Sequence, residues 1–184
     1  MPNWCETNIT ISLGENKGKA RIQLKELADK YKKANKGEDS PKFMDIFFPV
    51  PESVKINGSA WYNWCVENWG SKWDLVISDF NESKDLISIS SESAWNPPLE
   101  GITEISKKFP DLKFRVEYVE PGCAFEGDAE IYNGDCSDDC RDYDLTRECK
   151  NCSFEPEDCT DGCPYGVGED SFPDGCPCYK KNED

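Results

Sequence analysis

A chain of 184 residues and 20.9 kDa has room for one ordinary domain, or for a core domain with a small appendage. Its 21 Lys+Arg against 37 Asp+Glu give a net charge of −16 and a pI near 4.4, so a nucleic-acid backbone is repelled rather than steered in. The chain has no His, which excludes Ser-His-Asp triads, Cys-His dyads, H-E-x-x-H zinc sites and imidazole acid-base chemistry.

The N-terminal residues Met1 to Glu6 lead straight into an alternating strand, with no basic n-region and no apolar h-region. No run approaches the ~18 to 20 apolar residues needed to cross a bilayer, and the expected location is a cytoplasm. Thr7 to Leu13 alternates Ile9, Ile11 and Leu13 on one face, a half-buried strand. Residues 17 to 35 then place Ala20, Leu24, Leu27, Ala28 and Tyr31 on one helical stripe, stopped at Asn35-Lys36-Gly37. Phe43 to Pro51 is apolar and held extended by its prolines, and residues 60 to 69 form a short helix ended by Gly70. Strands follow at about 74 to 79 and 86 to 91. A helix opens at Pro97-Pro98 and stops at Phe109-Pro110, and strands at about 113 to 119 and 124 to 132 complete the series. The order βα(α)ββαββ predicts an α+β fold, a ferredoxin-like sandwich of helices on one side of a mostly antiparallel sheet.

Composition changes after Gly134. Residues 1–134 carry 16 basic and 22 acidic side chains and all six Trp, whereas residues 135–184 carry 5 basic and 15 acidic ones and eight of the eleven Cys. This second segment has too few apolar residues to offset a chain entropy cost of ~1 to 2 kcal/mol per residue. The expected domains are therefore a ferredoxin-like unit over 1–134 and an acidic, Cys-rich, zinc-binding tail over 135–184. Its cysteines form four close pairs: Cys136 and Cys140, Cys149 and Cys152, Cys159 and Cys163, Cys176 and Cys178. Close pairs on turns supply two thiolates each, so four pairs make two structural Zn²⁺ sites of four thiolates. Consecutive pairing and cross-bracing both satisfy this count, and disulfides or an iron-sulfur cluster are the competing chemistries.

The densest aromatic stretch is Trp61 to Asp74. On a helix, Trp61, Trp64, Cys65, Asn68 and Trp69 share one face, which is either core or a ligand platform. Tyr62, Lys72, Trp73 and Trp95 add to the candidate ligand set, with Lys72 as the charge for a phosphate. Cys65 reads as a small buried hydrophobe, because no His is present to take its proton.

Pro2-Asn3-Trp4-Cys5 with Asn8, Phe48 to Glu52, Trp61 to Asp74, Ser93 to Pro98 and Val116 to Asp135 together resemble the YubB ferredoxin-like family of bacteriophages and conjugative plasmids. The resemblance spans about residues 1–135 and implies a ferredoxin-like fold and a mobile-element origin, with no biochemical activity attached. The cysteine tail lies outside it.

With no catalytic motif in view, the expected function is non-enzymatic. A phage or plasmid protein would engage a basic surface of a host protein through its acidic groups, among them Asp138, Asp139, Asp142 and Asp144, and so inhibit host defence or nucleic-acid-handling machinery. Such a protein would bind neither nucleic acid directly nor membranes. The alternative is a small-ligand protein or sponge that stacks a nucleotide-like molecule among its Trp side chains.

Overall fold

The computed structural model describes residues 3–38, 40–55 and 58–143. Strand β1 (Trp4–Leu13) buries Cys5, Thr7, Ile9 and Ile11 and turns Trp4, Glu6 and Asn8 outward, as a strand covered on one side does. Helix α1 (Lys17–Ala34) starts at Asn16, whose side chain accepts from the Lys19 N–H at 3.2 Å, and is followed by left-handed Gly37 at φ +83. Its buried residues are Ala20, Leu24, Leu27, Ala28 and Tyr31, the stripe that the 3.6-residue period selects.

The apolar segment after α1 is not simply extended. It folds into two single turns, α2 (Met44–Phe47) and α3 (Glu52–Lys55), on either side of the Pro49-Val50-Pro51 stretch. The reason lies some thirty residues away, at Asp74. Its Oδ1 accepts from the N–H groups of Phe43 (3.0 Å), Met44 (2.9 Å) and Leu75 (2.8 Å), and its Oδ2 from that of Asp45 (2.9 Å). A buried carboxylate thus satisfies the orphan donors of a first helical turn that has no local cap. Burial pushes the Asp74 carboxyl pKa up, and the four N–H donors oppose that push.

Helix α4 (Gly58–Trp69) ends at Gly70, left-handed at φ +79. Then come β2 (Val76–Glu82), β3 (Leu86–Ala94), α5 (Leu99–Ser106), β4 (Leu112–Glu120), β5 (Phe125–Tyr132) and β6 (Asp135–Asp142). The strand order is β2-β3-β1-β4-β5-β6, and all five adjacent pairs are antiparallel. The first four strands with α1 and α5 have the ferredoxin-like βαββαβ arrangement, and β5 and β6 extend it as hairpins from the β4 edge. Ile9, Ile11, Ile89, Phe114 and Ile131 from the sheet meet Leu24, Leu27, Ile102 and Ile105 from the helices in one core. Cys5 and Cys65 are fully buried there, and desolvation raises both thiol pKa values to about 11.

The sheet continues past Gly134, where composition places the domain boundary. Asn133 (φ +50) and Gly134 (φ +89) are the two left-handed residues of a tight hairpin turn, and Asp135 to Asp142 pairs with Tyr132 back to Phe125. Tyr118 fastens this added strand. Its ring crosses β5 at Gly127, where a Cβ would overlap its hydroxyl, and the hydroxyl donates to Asp138 on β6 at 2.7 Å. Desolvation, with help from that hydrogen bond, pushes the phenol pKa well above its usual range.

Candidate functional site

The tryptophan stripe divides in two. Trp69 is 2% exposed and donates its indole N–H to the Phe48 carbonyl at 2.9 Å. Trp64 packs edge-on against Trp69, with centroids 5.8 Å apart, and tilts against Phe48 at 5.3 Å. Trp61 lies half-buried against the same core. All three pack in or against the core.

The other members converge on Lys72. Its Nζ lies 4.4 Å from the Trp73 ring centroid, 5.3 Å from Trp95 and 5.9 Å from Tyr62, all inside the ~6 Å reach of a cation–π contact. Tyr62 and Trp95 meet edge to face at 6.3 Å, and Trp4 joins through Trp73 at 6.1 Å. Among the described residues, Lys72 forms no ion pair. Trp95 holds φ +72, a conformation that costs a bulky L-residue on the order of 1 to 2 kcal/mol. Its N–H donates to the Asn3 carbonyl at 3.0 Å, and the Ser93 hydroxyl donates to the Asn96 carbonyl at 2.8 Å, so the kink is held from both sides. Three rings therefore gather at the chain's own ammonium, where the sequence suggested a Trp-lined pocket with Lys72 as the charge for a ligand's phosphate.

The four aspartates chosen from sequence do not form one surface. Asp138 and Asp142 share a side of β6, and the Asp138 carboxylate is engaged by Tyr118. Asp139 points to the opposite side, 3.7 Å from Arg141, and Asp144 lies outside the described residues. The larger acidic surface is the face of the sheet opposite the helices. Across it runs one row of Glu92, Glu6, Val119, Glu126 and Arg141, and beside it a second of Ser90, Asn8, Glu117, Asp128 and Asp139. Arg141 reaches Glu126 at 3.2 Å and Asp128 at 3.3 Å, and Arg115 reaches Glu117 at 3.2 Å. Glu6 and Glu92 stand directly opposite one another, and among the described residues neither has an ion-pair partner. Like charges in that position cost roughly 0.2 to 1 kcal/mol. Two shallow hollows, of about 190 and 340 Å³, meet at Glu6 and Asn8. Sequence reasoning missed these glutamates. The available signal was the polar half of the strand alternation, but the strand register that sets them side by side was not legible.

Cys136 and Cys140 lie four residues apart on β6, hence on one side of it and about 13 Å apart along the strand. Two thiolates on one zinc, each at about 2.3 Å from the metal, must be far closer. The C-x3-C pair is therefore not a turn that grips a single ion. Cys149, Cys152, Cys159, Cys163, Cys176 and Cys178 fall outside the described residues. Among the described residues no group of three or more His, Cys, Asp or Glu side chains could hold a metal, and no helix is long and apolar enough to cross a membrane.

Residues 72–158 match the family model described as the ferredoxin-like domain in Api92-like protein. A solved structure, the protein api92 from Yersinia pseudotuberculosis, superposes with a TM-score of 0.51 at 11% identity, covering 79% of this chain and 99% of that one. At that identity the likeness speaks for the fold, and the shared architecture is ferredoxin-like. No curated protein matches the chain.

Proposed function

We propose that the protein is a non-enzymatic binding module that presents the face of its sheet opposite the helices to a basic surface of a partner protein. The observation that carries this reading is the Glu6–Glu92 pair. Two carboxylates face each other across β1 and β3 without a neutralising partner among the described residues, a mild cost to the fold that a lysine or arginine placed between them would remove. The Glu117–Asp128–Asp139 row extends the same field, partly offset by Arg115 and Arg141. Such a field speeds encounter with a basic partner and rejects nucleic acid. The five motifs that resemble the YubB family support an origin on a phage or conjugative plasmid. The partner is then a host cytoplasmic protein, and a nucleic-acid-handling or defence protein has the complementary charge.

Zinc belongs to the same proposal as a staple for the Cys-rich segment, with two structural ions. A strand that keeps Cys136 and Cys140 about 13 Å apart lets them serve two different ions and not one. The nucleotide-like ligand has weaker support, because the Lys72 ammonium expected to meet its phosphate lies instead against the faces of Trp73, Trp95 and Tyr62.

The test is affinity capture from the bacterial host, comparing the full chain with the Glu6→Gln/Glu92→Gln variant. The expected result is a basic protein retained by the first and depleted with the second. Its affinity should fall as salt rises from about 50 to about 300 mM, across the range where the Debye length shrinks below ~10 Å. A partner whose binding ignores both the variant and the salt overturns the reading. A partner lost with Trp95→Ala instead transfers the function to the aromatic end.

A further inference from the structure

The geometry points to an organic-cation site at the aromatic end of the sheet, plugged in this structure by the chain's own Lys72. Three rings from three separate places in the chain, Tyr62 on α4, Trp73 before β2 and Trp95 after β3, bring their π surfaces within 5.9 Å of one ammonium nitrogen. Core packing gathers aromatics against each other or against aliphatic side chains; here they gather round a charge. Trp95 reaches its place only through a left-handed backbone, pinned by the Asn3 carbonyl, so the ring is fixed before any cation arrives. Trp4, 37% exposed, borders Trp73 and leaves this end of the sheet open to solvent.

The chemistry of the box is specific. Indole and phenol faces attract a diffuse positive charge and offer nothing to an anion. The class of ligand is an alkylammonium group, such as a lysine side chain, methylated or not, or a free amine. Lys72 carries that group on a flexible four-carbon stem, and without an ion pair among the described residues it can swing out and vacate the box. The site does not depend on the acidic sheet face, and its test uses the isolated protein without any partner.

The experiment titrates butylammonium and tetramethylammonium into the protein and its Lys72→Ala variant, followed by Trp fluorescence and by melting temperature. In the variant the vacated box should bind saturably, at least about tenfold more tightly than the unchanged protein, and the melting temperature should rise with the amine. Adding Trp95→Ala to Lys72→Ala should abolish both effects. Equal binding with and without Lys72, or binding that survives loss of Trp95, overturns the site. Should Lys72→Ala fail to fold, NMR of the unchanged protein decides. The Lys72 side-chain methylene protons should be shifted upfield by ring currents and return toward ordinary values when saturating butylammonium displaces them. Unshifted methylenes overturn the proposal.

Discussion

Replacing Asp74 by Ala removes the acceptor of four backbone N–H groups at once, three of which open α2. With Asp74 only 7% exposed, little water can enter to replace it, and at about 1 kcal/mol for each stranded donor the loss is about 4 kcal/mol. For a chain of this size 1 kcal/mol is about 3 °C in Tm, so Asp74→Ala should melt about 12 °C lower. Asp74→Asn separates the contributions. Its carbonyl oxygen can stand where Oδ1 accepts from Phe43, Met44 and Leu75, but its amide would face the Asp45 N–H, donor against donor. The expected cost is about half, roughly 2 kcal/mol. Thermal melts followed by circular dichroism read both values, and the near-ultraviolet signal reports whether Trp73, one residue upstream, loses its fixed surroundings. Equal losses for Ala and Asn, or a fall of less than about 3 °C for Ala, would refute the claim that this carboxylate organises α2.

Gly127→Ala should be among the most damaging single changes, because a methyl group there overlaps the Tyr118 hydroxyl. Tyr118→Phe should cost about 1 kcal/mol and speed amide exchange in β6 first. A chain ending at Gly134 lacks β6 and the Asp138 partner of Tyr118, and should melt below one ending at Tyr143, whose N–H donates to the Ala124 carbonyl at 2.8 Å; equal melting temperatures would mean that β6 adds nothing. Cys5 and Cys65, with thiol pKa values of about 11, stay protonated at neutral pH and should resist alkylation in the folded protein until the pH nears that value, whereas the exposed Cys123, Cys136 and Cys140 should react before either. Metal analysis of the full chain should return two zinc ions, and chelation should alter the Cys-rich segment and loosen β6, which carries Cys136 and Cys140, before the rest of the sheet. No bound zinc, with thiols absent until reduction, would assign those cysteines to disulfides.

The parts of the fold that were legible in the sequence are those where one period dominates. The α1 stripe from Ala20 to Tyr31 and the alternation of β1 needed only helical and strand spacing. Strand β6 was missed for a physical reason. Asp-Cys-Ser-Asp-Asp-Cys-Arg-Asp has neither β-branched residues nor a buried face, so its conformation comes from pairing with β5 rather than from itself. The Asn133-Gly134 turn was the available signal, since that dipeptide favours a two-residue hairpin, but acidic composition argued louder for a boundary. Likewise α2 depends on an acceptor from Asp74, a long-range contact that no local window holds. At the aromatic end the residue types were visible and their grouping was not. Helical spacing put Trp61, Trp64 and Trp69 together, whereas the Lys72 box draws on three elements and on a left-handed Trp95 that nothing in its own side chain favours.

A sheet with one face that no other described element covers can associate with copies of itself by stacking, and its outermost strand can recruit another by pairing. The carboxylates of the open face and of β6 oppose both routes while they are charged. That protection is a colloidal property and has a pH limit. Near the isoelectric point of about 4.4 the net repulsion between molecules vanishes, and flat, neutralised sheet surfaces meet without penalty. Light scattering should show reversible clouding there at a pH where circular dichroism still reports the native fold, so the same acidity sets the acid edge of the range in which the protein stays dispersed.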